Sequence, residues 1–98
     1  MLTAMTTDRE LLGRYFDAGS EEAFREIVQR HVNLVYGAAL RQLCGDVSLA
    51  QEVTQTVFTA LASRAKPRAQ ISHLAAWLHT TTRFAVSHAV RTLSLIHI

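Results

Sequence analysis

The residues most able to do chemistry lie in an acid-free segment in the last third of the chain. From Leu74 to Val90 it reads LAAWLHTTTRFAVSHAV, with one tryptophan, three consecutive threonines and Arg83, and Arg91 follows directly. Arginine and threonine side chains can donate hydrogen bonds to phosphate oxygens, and an aromatic ring can stack on an unpaired base. The segment is therefore a candidate site for an anionic partner such as a nucleic acid. Trp77 is its candidate platform, although a lone tryptophan on an amphipathic helix is more often part of the core.

The distribution of charge supports an anionic partner for this part of the chain. Residues 1–63 hold all eight acidic residues and five arginines, a net charge of −3, whereas residues 64–98 hold five basic residues and no acid, a net charge of +5. Arg64, Lys66 and Arg68 cluster around Pro67, in a connection where exposed cations can meet phosphates and release counterions. The alternative is that they serve solubility and complement the dipole of the preceding helix.

A second polar surface is predicted on the segment LAQEVTQTVFTALA, which begins at Leu49. Gln55 lies four positions after Gln51 and three after Glu52, so a helix can bring these side chains to one face. Neutral amides can hydrogen-bond to a partner without the desolvation penalty of a full charge. From spacing alone, an ordinary solvated helix surface is at least as good an interpretation as a docking face.

The remaining reactive residue types indicate neither catalysis nor metal binding. No two of the five histidines have the i, i+4 spacing of a helical metal site, and no catalytic motif is present. The single cysteine, Cys44, suits a reducing cytosol and is expected to be a buried thiol. The longest stretch without charged residues, 69–82, is too short and too polar to span a bilayer. We therefore expect no enzyme activity, no metal, no cofactor and no membrane contact, and a cytoplasmic location.

Capping signals divide the chain into four helices and no strand. The first helix has a capping box at Thr7–Glu10 and ends near Gly19, and the second runs from an N-cap at Ser20 to Gly45. A second capping box, Ser48–Gln51, is predicted to open the third helix, Pro67 to close it, and Ser72 to cap the fourth. Short connections between amphipathic helices predict a compact all-α bundle of four helices.

Apolar stripes with helical spacing predict the core of this bundle. The predicted core positions are Leu11, Leu12, Tyr15 and Phe16 in the first helix; Phe24, Ile27, Val28, His31, Val32, Val35, Ala38, Ala39 and Leu43 in the second; Leu49, Val53, Val57, Phe58 and Leu61 in the third; and Leu74, Trp77, Leu78, Thr81, Phe84, Ala85 and Val90 in the fourth. We thus expect Phe58 and Phe84 to be buried.

The last six residues, 93–98, read LSLIHI and do not obviously continue the stripe of the fourth helix. The string resembles the in-frame translation of a common transposon-based sequencing adapter. We expect residues 8–92 to form the native domain and residues 93–98 to be a non-native tail. The alternative is a genuine apolar carboxyl terminus that packs on the bundle.

Three blocks in order resemble region 2, the promoter-melting domain, of bacterial RNA polymerase sigma factors of the extracytoplasmic-function type. The blocks are GSEEAFREIVQRHVNLVYGAALRQLCGD, AQEVTQTVF and AWLHTTTRFAVSHAVR, and the similarity covers about residues 8–92. The positions that match the family pattern are Glu52, Gln55, Phe58, Trp77, Leu78, Arg83 and Arg91. Three positions depart from it: Thr56 stands where Glu is usual, Phe84 replaces Asn, and His88 replaces Asp.

The resemblance implies a function in starting transcription. The third helix would dock on the clamp helices of the largest subunit of core RNA polymerase, and the loop and fourth helix would receive the non-template −10 promoter strand. The implied polymerase-binding residues are Gln51, Glu52, Gln55 and Thr56, and the implied DNA-binding residues are Arg64, Lys66, Arg68, Trp77, Thr80, Arg83 and Arg91.

The resemblance also admits an anti-sigma factor as a further partner. The family's second domain, which reads the −35 element, has no counterpart in this sequence, which is the pattern expected of a truncated chain. Two other interpretations of the chain stay open, a helical protein-interaction module and a generic binder of duplex DNA.

Overall fold

A long central helix organises the fold. The computed structural model describes residues 6–63 and 73–96, which form α1 (Asp8–Ala18), α2 (Glu21–Gln42), α3 (Val47–Ser63) and α4 (Leu74–Ile96) and no strand. Helix α2 packs against each of the other three helices, and α4 packs against both α2 and α3. The predicted all-α helical bundle is confirmed. Within the described ranges, none of the helices combines the length and hydropathy that a bilayer crossing requires.

The boundaries of α1 follow the predicted capping signals. The Thr7 hydroxyl accepts a hydrogen bond from the Glu10 amide at 3.1 Å, and the Glu10 carboxylate accepts one from the Thr7 amide at 3.0 Å. Gly19 ends the helix in the left-handed region, at φ 70°, which glycine adopts without a steric penalty. The Ser20 hydroxyl then accepts from the Ala23 amide at 3.2 Å and starts α2.

The predicted capping box at Ser48–Gln51 is wrong. Helix α3 begins at Val47, and the Asp46 carboxylate accepts a hydrogen bond from the Leu49 amide at 3.0 Å, so Asp46 is the N-cap. Ser48 lies inside the first turn and is exposed. Both residues have suitable side chains, but Ser48 already lies within the helix, and the residue directly before the helix is Asp46.

The turn between α2 and α3 exposes Cys44. Cys44 and Gly45 both have positive φ, at 53° and 86°, and the Gly45 amide donates to the Leu40 carbonyl at 3.0 Å. Helix α2 ends at Gln42, three residues before Gly45, the end predicted from the sequence. The expectation of a buried thiol is wrong, because this left-handed turn holds Cys44 outside the helix pair.

One row of α4 side chains, four residues apart, is buried against α2 and α3: Leu74, Leu78, Thr82 and Val86. The Thr82 side chain is fully buried, and its hydroxyl donates to the Leu78 carbonyl at 2.7 Å, so the polar group is satisfied inside its own helix. Thr82 therefore cannot offer its hydroxyl to a phosphate.

The predicted burial of Phe84 is wrong, and so is that of Val90. Phe84 is 72% exposed and Val90 45% exposed. Phe84 follows Thr82 by two positions, about 200° around the helix, so burial of Thr82 turns Phe84 to the outside. Phe58, by contrast, is buried on α3 as predicted.

An ion pair and a histidine–carboxylate contact join the start of α1 to the middle of α2. Asp8 accepts from Arg30 at 3.2 Å and pairs with His31 at 2.9 Å, while Arg30 also contacts Glu26 at 3.0 Å. His31 is thus a half-buried partner of α1 rather than a member of the apolar core. The apolar contribution of α1 comes from Leu11 and Leu12, which are both buried.

We expect Leu78→Ala to lower the free energy of unfolding by about 2–5 kcal/mol, because the side chain is fully buried and its loss leaves a cavity. The matched control is Leu34→Ala at a position that is 41% exposed, for which a change below about 1 kcal/mol is expected. Urea unfolding followed by circular dichroism measures both. Equal losses for the two variants would contradict the burial pattern of α4.

We expect Asp46→Ala to destabilise the protein by about 1 kcal/mol, because the amide of Leu49 loses its acceptor at the start of α3. Ser48→Ala should change the stability by less than about 0.5 kcal/mol, since Ser48 is exposed in the first turn. The same unfolding assay ranks the two variants. A larger loss for Ser48→Ala would restore the capping box predicted from the sequence.

Candidate protein and nucleic-acid interfaces

The exposed face of α4 presents the residues predicted to contact DNA. Thr80, Arg83 and Arg91 are all exposed. Arg83 and Thr80 also line a shallow depression of about 230 Å³, together with Phe84 and Ser87. No acidic residue occurs anywhere in α4, so no carboxylate of this helix opposes an anionic ligand. The arrangement can place guanidinium groups and hydroxyls against a phosphate backbone.

Trp77 occupies an intermediate position between core and surface. Its side chain is half-buried and packs against the hydrophobic core. It lies seven residues before Phe84, about two helical turns away and on nearly the same side of α4. The aromatic ring that α4 presents most openly is therefore Phe84, which the sequence analysis assigned to the core. The spacing of four along Leu74, Leu78, Thr82 and Val86 was the sequence signal that Phe84 faces outward.

The cations predicted in the connection between α3 and α4 cannot be compared with the structure. Arg64, Lys66 and Arg68 lie outside the described residues, as do Pro67 and Ser72. Their contribution to a surface shared with Arg83 stays a prediction.

The four residues predicted to bind polymerase lie together on the exposed side of α3. Gln51, Glu52, Gln55 and Thr56 are all exposed. The last three line a shallow depression of about 500 Å³. The side chain of Gln55 also borders a larger groove that Gln51 helps to line. The structure thus gathers the predicted set into one continuous surface of a single helix.

The larger groove lies between α2 and α3 and was not foreseen from the sequence. It has a volume of about 770 Å³, and none of the described residues that line it is charged. Its α2 wall is the row Phe24, Val28, Val32 and Tyr36, whose members are half-buried. This row runs beside a second row, in which Ile27 and Val35 are buried. The apolar residues of α2 cover two adjacent rows, and this width was the available signal in the sequence.

Helix α1 closes one end of this groove. Tyr15 lines it, stacks at a tilt on Phe24 with 4.7 Å between ring centroids, and donates its hydroxyl to the Ala62 carbonyl at 3.4 Å. The bond reaches the last turn of α3, where carbonyl groups lack helical partners. Tyr15 therefore ties α1 to the end of α3 from which the chain leaves toward α4.

The described side chains do not form a metal centre. No group of three His, Cys, Asp or Glu residues in the described part of the chain is arranged to hold a metal ion. The site chemistry available on α3 and α4 is hydrogen bonding, apolar contact and cationic attraction.

Comparison with known proteins identifies the family. Residues 27–95, more than half of the chain, match the family model described as Sigma-70 region 2. No curated protein and no solved structure matches the chain. Members of the matched family are non-catalytic factors that generally bind core RNA polymerase and promoter DNA. The chain therefore belongs to the Sigma-70 region 2 family and is a sigma-factor domain of transcription initiation.

Proposed function

We propose that this chain is the promoter-melting domain of a sigma factor of the extracytoplasmic-function type. In this proposal α3 docks on the clamp helices of core RNA polymerase, and α4 holds the non-template −10 strand. The observation that carries the proposal is the exposure of Thr80, Arg83 and Arg91 on a helix without any carboxylate, in a chain of this family. The protein acts in the cytoplasm, where the polymerase transcribes, and an anti-sigma factor is a further proposed partner.

The proposed polymerase contact uses the α3 surface and the groove beside it. Gln51 and Gln55 supply amides that can donate and accept at the edge of a groove whose described lining residues are uncharged. Apolar side chains of a partner helix can enter the groove while the amides satisfy polar groups at its rim. Glu52 and Thr56 extend the surface on the solvent side, and Thr56 offers a hydroxyl where the family pattern has a carboxylate.

The proposed DNA contact uses cations and hydroxyls of α4. Arg83 and Arg91 neutralise phosphates and release counterions, which adds affinity that falls with salt. Holding a base out of the stack costs a few kcal/mol, which contacts to the unpaired strand and polymerase binding together must offset. In the proposal, Arg64, Lys66 and Arg68 add phosphate contacts from the connection before α4. Trp77 lies beside the same strand.

We expect Gln55→Ala to weaken binding to bacterial core RNA polymerase about fivefold or more, and Glu52→Lys to weaken it further by reversing a charge in the interface. The matched control is Gln29→Ala, since Gln29 lines a different depression, between α1 and α2. Biolayer interferometry with immobilised polymerase measures the affinities. A chain that forms no complex with core polymerase would favour the helical protein-interaction module instead.

We expect Arg83→Gln to reduce the dependence of single-strand binding on salt. The slope of log K against log salt should fall by about 0.7, the value for one phosphate contact to single-stranded DNA. Arg41→Gln, at the end of α2, is the control that should leave the slope unchanged. Fluorescence anisotropy of a −10-like single strand and its duplex, titrated with the 98-residue chain, gives both slopes. Tighter binding to the duplex would favour the generic duplex binder.

A further inference from the structure

Phe84 is exposed in a way that the fold does not require. At 72% exposure it is the most accessible of the large hydrophobic side chains in residues 6–63 and 73–93. The chain's other phenylalanines, Phe16, Phe24 and Phe58, are buried or half-buried and pack in or against the core. The Phe84 ring therefore contributes little to the core, and its face is open to a ligand.

The surroundings of Phe84 are polar and cationic. Thr80 and Ser87, one turn before and after it, line the same shallow depression, and Arg83 completes the lining. Arg91 follows by seven residues, which is two turns and about 10 Å along the same side of α4. An extended arginine side chain from that position can reach the phosphate next to a ligand that covers the ring.

An exposed aromatic ring beside arginine side chains favours some classes of binding partner over others. An apolar protein surface that covered the ring would also desolvate Arg83 without offering it a counter-charge, which is unfavourable. A single nucleic-acid strand offers a planar base for the ring and phosphates for the guanidinium groups. Duplex DNA does not, because its bases are stacked on one another and present only their edges in the grooves.

We infer that Phe84 is the platform on which an unpaired base of the −10 strand stacks, with Arg83 and Arg91 on the adjacent phosphates. The inference rests on the proposed function and deepens it. Stacking engages the face that every base has, so Phe84 favours an unpaired base over a paired one without reading its identity. Trp77, half-buried and two turns earlier, then has a secondary role along the same strand.

The test measures DNA binding by the full chain in complex with core RNA polymerase, with core polymerase alone as the blank. The probes are a −10-like single strand that carries 2-aminopurine at successive positions, and its matched duplex. Phe84→Ala should weaken single-strand binding about 5- to 150-fold and leave duplex binding unchanged. It should also abolish the quenching of 2-aminopurine at one position, since quenching reports stacking on the ring.

Three further variants separate stacking from other effects. Phe84→Tyr keeps an aromatic face and should retain both affinity and quenching, whereas Phe84→Leu keeps apolar volume and should lose both. Val90→Ala, at an exposed position about 120° away around α4, should behave as the wild type. Thermal unfolding should be unchanged for all Phe84 variants, because the ring lies outside the core.

Several outcomes would overturn the inference. Wild-type affinity for the single strand in Phe84→Ala or Phe84→Leu would show that no base stacks on Phe84. If the same complexes still bound the single strand more tightly than the duplex, the proposed function would stand without this inference. A loss of polymerase affinity in Phe84→Ala would make the ring a protein contact. If the wild-type complex bound the duplex more tightly than the single strand, the proposed function would fail, and this inference with it.

Discussion

The burial of one row of α4 against α2 and α3 is the constraint on which the functional surface depends. Leu74, Leu78, Thr82 and Val86 share a line along the helix, and their burial fixes the rotation of α4 about its axis. Because an α-helix has about 3.6 residues per turn, fixing this rotation also fixes the direction in which every other side chain of α4 leaves the helix. Thr80, Phe84 and Ser87 face solvent for this reason, and the threonine buried in the row bonds to its own backbone.

Helix α2 also has two apolar rows, and the two rows have different surroundings. The row with Ile27 and Val35 is buried at the centre of the bundle, and the row with Val28 and Val32 forms a wall of the groove. Helix α1 lies before the residues that match the family model, yet it supplies Leu11 and Leu12 to the core and bonds to the end of α3 through Tyr15. The matched segment is therefore stabilised by residues that precede it.

Separation of charge complements this geometry. Among the described residues, those that line the groove between α2 and α3 are uncharged, whereas α4 carries arginines and no carboxylate. A neutral surface can be buried against protein at low desolvation cost, and a cationic one is most favourable against phosphate. In the proposed function, one small domain thus offers two chemically distinct surfaces, on neighbouring helices that share a core, to the two components of a promoter complex.

Local signals determined much of this protein from its sequence. The capping box at Thr7, the left-handed stop at Gly19 and the acid-free composition of α4 depend on residues close in the chain, so the helices and the all-α class followed from signals of this kind. The family resemblance followed from three motif blocks in order along the chain. The turn between α2 and α3 made Asp46 rather than Ser48 the cap of α3 and left Cys44 exposed. Tertiary packing alone decided which side of α4 is buried, with Thr82 inside and Phe84 outside. The amphipathic pattern of α4 is compatible with rotations of the helix about its axis that differ by some tens of degrees. Only the contacts with α2 and α3 fix which side of α4 is buried.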